Sequence, residues 1–291
     1  MTNKKSYQMI ITAVMIIISL ICIIPFILLI SSSITSEEML VKNGYSFWPK
    51  KLDLSAYKYL LFGSGAVLRG YAISIFVTVS GTLLSLLLTI TFAYPLSRKD
   101  LPGRNIFSFF IFFTMLFNGG LVPTYIMWTQ LFHIKNTIWA LIFPNLLMNA
   151  FNVIMMRTYF MTNIPEEVIE AARIDGSGEF RILFGIIVPM ALPIIITITL
   201  LVGLGYWNDW LNGLYYINND KYYSIQVLLT KMLENVEMVK KASSAGASTM
   251  KMPSTSIRMA VAVIGALPVL VVYPFFQKYF VKGIVIGAVK G

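Results

Sequence analysis

The chain has 291 residues, of which 57% are hydrophobic and only 12% charged, and its formal net charge is +10. Soluble domains carry roughly 25% charged residues, so this composition excludes an ordinary water-soluble domain and makes a bilayer the principal solvent. The basic residues are dispersed between apolar segments instead of forming one stripe with stacking aromatics, which argues against nucleic acid and for membrane topology and contact with anionic lipid.

Charge-free stretches run over 9–36, 70–97, 105–134, 136–156, 182–208 and 259–277. Each is long enough for the ~20 residues that cross a bilayer as helix, so the pattern predicts an all-α integral membrane protein with six transmembrane helices. The first stretch follows Lys4 and Lys5, yet its apolar run exceeds a signal peptide's h-region and no small-residue cleavage pattern closes it. It predicts a retained helix. The single cysteine, Cys22, lies inside it, which leaves no intrachain disulfide and no thiolate metal cluster. Residues 37–69 hold Trp48-Pro49, Tyr57-Lys58-Tyr59 and Gly63-Ser64-Gly65, a mixture that predicts an outer loop or interfacial helix.

The second stretch closes at Tyr94-Pro95-Leu96-Ser97, and the basic turn Arg98 to Arg104 after it is the clearest inside loop. An even number of spans puts both termini on one side. With cytoplasmic termini, 11 of the 23 basic residues fall in about 60 inside residues and 12 in about 100 outside ones, a modest preference for that orientation. In the third stretch, Asn118-Gly119-Gly120 and Pro123 predict that the helix ends or unwinds, because glycine frees the backbone and proline cannot donate its hydrogen bond. His133 has no second histidine near it, so no metal site is predicted. Asn145, Asn149 and Asn152 stand at spacings of four and three and are expected on one face of the fourth span, lining a polar path or bonding between helices.

Between the fourth and fifth stretches lies Pro165-Glu166-Glu167-Val168-Ile169-Glu170-Ala171-Ala172-Arg173-Ile174-Asp175-Gly176. Proline suits the first helical position, the acidic residues suit the positive end of the helix dipole, and Gly176 suits a left-handed cap. Ala171 and Ala172 would give this short helix a flat side for close approach, with Glu170 and Asp175 pairing with a partner's basic groups. The alternative is a solvated acidic linker helix. Phe180, Leu183, Phe184 and Ile187 then recur at helical spacing towards Pro189 and Pro193. At the outer end of the fifth stretch, Trp207, Asn208 and Trp210 combine aromatic faces with an amide that could stack on a sugar and bond its hydroxyls, or form an interfacial belt. In 211–257, Ile225, Leu228, Leu229, Met232 and Val236 predict a surface helix, followed by a flexible tether over 242–249.

No phosphate loop is present, and no carboxylate or lysine lies in any charge-free stretch. The chain therefore neither burns ATP itself nor resembles a proton- or sodium-coupled carrier. No set of catalytic groups stands out, so it is not read as an enzyme.

Glu170-Ala171-Ala172, Asp175-Gly176, Pro189 and Pro193 resemble the cytoplasmic loop signature of permease subunits of binding-protein-dependent ATP-binding-cassette (ABC) importers. Asn118-Gly119-Gly120, Arg157-Thr158, Tyr206-Trp207-Asn208-Asp209-Trp210 and Gln277 to Gly283 are similar to the carbohydrate-uptake branch, in particular the second permease of maltose-type and complex-polysaccharide importers. The resemblance implies a type I importer fold over 70–281 with a coupling loop at 157–182, preceded by one added helix and outer segment over 1–69 and followed by a cytoplasmic tail over 282–291. It implies a multi-pass protein of a prokaryotic cell membrane with both termini cytoplasmic, importing an oligo- or polysaccharide by alternating access. Implied partners are a second, similar permease, two ATPase subunits that bind ATP and Mg on their own residues, and an extracellular solute-binding protein, which the long 211–257 interval is suited to contact. Residues 165–177 would be the coupling helix and its cap, and the tail from Lys278 would reach towards the ATPases. Two other readings stand beside this one: the same machine carrying a phosphorylated polyol or other small solute, and a membrane scaffold or receptor without an ATPase.

Overall fold

The computed structural model describes residues 4–62, 65–244 and 254–288, and these are 78% helical with no strands. The expected tether over 242–249 and tail over 282–291 lie partly outside the described residues. Among the described residues three helices are long and apolar enough to cross a membrane, or up to five if each of two sharply bent pairs is one span. The described residues divide into two compact units, Met1–Leu68 with Leu228–Pro268, and Arg69–Val227 with Val269–Gly291.

In the first unit, α1 (Lys4–Ser33) presents bare, mostly apolar sides along residues 7–27, as lipid contact requires, and buries Ser31, Ser32 and Ser33 at its end. The 37–69 segment forms two short helices, α2 (Glu37–Asn43) and α3 (Ser55–Phe62), which bury Leu40, Ala56 and Leu60. An isolated antiparallel bridge joins Thr35 to Leu52. The Glu37 carboxylate accepts the backbone N–H groups of Thr255 and Ser256 at 3.0 and 2.8 Å, satisfying donors that the start of a helix leaves without partners.

The second unit begins along α4 (Ala66–Ser97), which ends where the sequence predicts. The third apolar stretch is split into α5 (Arg104–Leu116) and α6 (Leu121–Ile126), bent by 110° at the Asn-Gly-Gly break. Asn118 Oδ1 accepts the Gly120 N–H at 2.8 Å and holds that turn.

The expected fourth span over 136–156 is not one helix. A single turn, α7 (Trp139–Ile142), is followed by an irregular segment before α8 (Ala150–Asn163). Pro144 cannot continue the helix and Asn145 adopts a left-handed φ of 62°, which reverses the backbone. Asn149 then caps α8 by accepting the Phe151 N–H at 2.9 Å.

After α9 (Glu166–Ile174), the expected fifth span is also two pieces. Residues Glu179–Met190, comprising α10 (Glu179–Ile182), a wider π turn and α11 (Val188–Met190), meet α12 (Leu192–Trp207) at 84° across Ala191. Prolines 189 and 193 flank that bend and remove backbone donors from both sides of it. The core gathers Leu141, Ile142, Val153, Met156, Ile182, Ile187, Ile198 and Tyr216. Beyond α13 (Leu211–Tyr216) come α14 (Ile225–Ser244), whose first turns bury Ile225, Val227 and Leu229, and α15 (Ser254–Ala288).

Candidate functional site

The helix expected over the acidic signature is present as α9. Pro165 sits one residue earlier than predicted, at the N-cap, with extended backbone. Glu166 and Glu167 occupy the first turn and Arg173 the last, each sign matching the dipole end it faces. Gly176 has a φ of +75°, and Ser177 N–H reaches back to Ala172 O at 2.9 Å, which closes the helix as anticipated. Only glycine enters that conformation without a steric penalty.

One side of α9 packs inward through Ile169 and Ala172. The flat face expected from Ala171 and Ala172 together is therefore corrected: Ala172 belongs to the core, and only Ala171 is exposed. Beside it stand exposed Glu170, Asp175 and Gly176. Ile174, 86% exposed, and Phe180, 77% exposed, complete a small apolar and acidic knob that the signature residues alone do not define. The signal for them was present, since Ile174 lies on the turn beyond Glu170 and Ala171.

Charged groups from distant parts of the chain hold this loop. Arg173 donates to Glu179 at 3.0 and 2.6 Å and to Asp100, on the α4–α5 turn, at 2.9 Å. Tyr94, near the end of α4, donates to the other Glu179 oxygen. Arg98 approaches Asp100 at 3.2 Å. The Arg173 guanidinium, with Arg98 beside it, holds the Asp100 carboxyl down at about 2. Lys99 and Glu166 pair at 2.7 Å, which lowers the Glu166 carboxyl from its usual value. Arg157 of α8 donates from Nε to Leu96 O at 2.9 Å, at the end of α4. Tyr94, Arg98, Asp100, Arg173, Glu179 and Phe180 surround a cleft of about 440 Å³.

The residues expected along a substrate path are not gathered on one face. Asn145 is exposed in the break, Asn149 caps α8, and Asn152 is buried in its first turn, so the predicted common helical face is absent. The reason is the same Pro144–Asn145 reversal that interrupts the span. Trp207 is buried and stacks on Tyr71 with centroids 6.1 Å apart, whereas Asn208 and Trp210 are exposed. Tyr206, from the same motif, donates to Ile142 O at 2.8 Å, and Asn212 donates to Pro144 O at 3.0 Å. Both bonds are buried: Tyr206 satisfies a carbonyl that the broken span leaves without a helical partner, and Asn212 adds a second donor to Pro144 O beside the Leu146 N–H. Asp209 is half-buried at this junction, and burial pushes its carboxyl up to about 6. Among the described residues no group of acidic, histidine or cysteine side chains could hold a metal ion.

Residues 70–286 match the family described as binding-protein-dependent transport system inner membrane component. The chain is 39% identical to the polygalacturonan/rhamnogalacturonan transport system permease protein YtcP of Bacillus subtilis, covering 99% of this chain and 100% of that protein. It is 27% identical to the arabinooligosaccharides transport system permease protein AraQ of Halalkalibacterium halodurans, over 94% and 93% of the two chains. A crystal structure of a bacterial ABC transporter involved in the import of the acidic polysaccharide alginate matches with a TM-score of 0.82 at 32% identity, covering 96% of this chain and 99% of the other. The resemblance read from the loop signature is thus borne out, including the type I permease fold and a transport subunit in place of an enzyme. The scaffold or receptor reading falls with it. Such a permease implies ATPase and solute-binding partners and a second permease, in a multi-pass membrane setting. The chain belongs to the family of binding-protein-dependent transport system inner membrane components, the permease subunits of ABC importers.

Proposed function

We propose that this permease carries an oligo- or polysaccharide across the cell membrane by alternating access, and that α9 is its docking element for an ATPase subunit. The observation that carries the docking reading is the exposed knob of Glu170, Ala171, Ile174, Asp175 and Phe180, mounted on a helix whose other side is packed and ion-paired. Exposed Ile174 and Phe180 suit burial in a cleft of a partner, and Glu170 and Asp175 suit pairing with basic groups at its rim. With the loop on the ATPase side, and with the interrupted 136–156 stretch counted as a sixth crossing, both termini are cytoplasmic. The outer elements, including the 211–257 interval, then face a second, similar permease and an extracellular solute-binding protein.

The carbohydrate cargo is supported by the relatives, whose names refer to polygalacturonan, rhamnogalacturonan and arabinooligosaccharides. A phosphorylated polyol or another small solute has no such support. Asn208 and Trp210 are exposed and well suited to a sugar ring, and Asn145 and Asn149 supply exposed amides in the broken fourth span.

The test is transport by the assembled complex in proteoliposomes, with ATP hydrolysis and uptake followed together. Glu170→Lys and Gly176→Val are expected to leave the permease inserted while uptake per ATP hydrolysed drops at least about tenfold. Normal coupling in both variants would overturn the docking assignment.

A further inference from the structure

We propose that Lys99 and Asp100 are positioning residues that pin the α4–α5 turn to the two ends of α9, so that force on α9 reaches α4 directly. The inference rests on the docking role of α9 proposed above.

Lys99 and Asp100 are consecutive, yet they bond residues at opposite ends of α9. Lys99 pairs with Glu166 at 2.7 Å in the first turn, and Asp100 with Arg173 at 2.9 Å in the last. At 1.5 Å per residue those attachment points lie roughly 10 Å apart along the helix. One ion pair would act as a pivot; two, separated by most of the helix, fix its orientation relative to the turn. Arg98, buried and bonded to Asp100, keeps the second pin aimed, and the Arg157 bond to Leu96 O ties the end of α4 to α8. The link from α9 onward through the chain is less direct. It passes through Gly176 and Gly178 into Glu179–Met190, which meets α12 at 84°. The pins therefore give α9 a short route to the 32-residue helix α4 that does not run through that bend.

Fold stability is a weak explanation for these contacts. The Lys99 and Glu166 side chains are 75% and 41% exposed, and exposed pairs contribute little to folding. What two such pairs can do is select one arrangement of two elements that already exist.

The experiment uses the full complex with its ATPase and second permease in proteoliposomes, measuring uptake per ATP hydrolysed together with copurification of the ATPase. Lys99→Ala is expected to lower this ratio about threefold, and Lys99→Ala with Asp100→Asn about tenfold, in keeping with the modest worth of each exposed pair. The ATPase should still copurify. Lys99→Glu alone should uncouple, and Lys99→Glu with Glu166→Lys should recover to within about twofold of the unaltered chain, because the reversed pair restores the pin. Full coupling in the double variant Lys99→Ala/Asp100→Asn would overturn the proposal. So would loss of ATPase copurification in both that variant and the reversed pair, which would assign the contacts to assembly. Glu170→Lys, run in parallel, separates the two readings: uncoupling there with intact coupling in the pin variants removes the pins alone, whereas intact coupling everywhere removes the docking role as well.

Discussion

The α9–α10 loop and the α12–α13 junction are both dense in polar and aromatic side chains, and they turn them in opposite directions. In the loop, Glu170, Ile174, Asp175 and Phe180 point away from the protein, while Arg173, Asp100 and Glu179 bind the helix down from beneath. At the junction, Tyr206, Trp207 and Asn212 are buried, and two of them donate to the carbonyls of Ile142 and Pro144. Around the expected sugar contacts, Tyr206 and Asn212 thus bond the broken span while Asn208 and Trp210 stay exposed, and the acidic loop presents its surface outward. Composition alone does not separate these outcomes, because an amide or an aromatic ring is equally useful to a ligand and to an orphaned backbone group.

Variants can sharpen this contrast. The largest effect is expected for Ile174→Glu in the loop, which places a third acidic group on the knob and removes its most exposed apolar side chain. Uptake per ATP should fall at least tenfold, with thermal unfolding of the purified permease changed by less than about 0.5 kcal/mol, as for other exposed sites. At the junction the pattern should invert. Asn212→Ala removes one of the two donors to the buried Pro144 carbonyl, leaving the Leu146 N–H, and should cost about 1 kcal/mol in detergent unfolding. Gly81→Ala should also cost about 1–3 kcal/mol, since a methyl group there would meet the Tyr206 ring at 2.5 Å. If Asn212→Ala abolished uptake without touching stability, the junction would be a substrate contact after all.

Smaller effects follow from charge. Asp209 has a carboxyl raised to about 6 by burial, so the folded state holds its proton more tightly than the unfolded chain does. Its burial therefore makes stability fall as pH rises from about 4 to about 6, with no further change above that. Asp209→Asn should remove this dependence and gain on the order of 1 kcal/mol near neutral pH after allowing for solvent screening. Asp100 has the opposite sign. Held at about 2 by Arg173 and Arg98, its contribution is complete above about 4 and is lost only as pH falls towards 2. Coupling through the loop should accordingly be flat between pH 5 and 8, and a steep dependence in that range would point to a different anchor.

Much of the architecture was legible in the chain itself. The absence of charge from long stretches is imposed by the hydrocarbon and is local in sequence, so the membrane class and the extents of α1 and α4 could be read directly. Breaks set by local backbone chemistry were also legible where glycine and proline concentrate: α5 ends before Asn118-Gly119-Gly120, and Gly176 closes α9. The proline-flanked bend at Ala191 and the reversal at Pro144–Asn145 were not, because an apolar stretch hides an interruption when its residues remain individually suited to lipid.

Which segments avoid water, where the strongest helix stops fall and which loop carries an exposed acidic helix could all be read from neighbouring residues. Tertiary structure alone decided that Ala172 is core while Ala171 is surface, that Tyr206 and Asn212 serve the broken span, and that Lys99 and Asp100 meet the two ends of α9. The bonds among them join residues 64 to 73 positions apart. They depend on where packing places a donor relative to an acceptor, and no local periodicity encodes that distance.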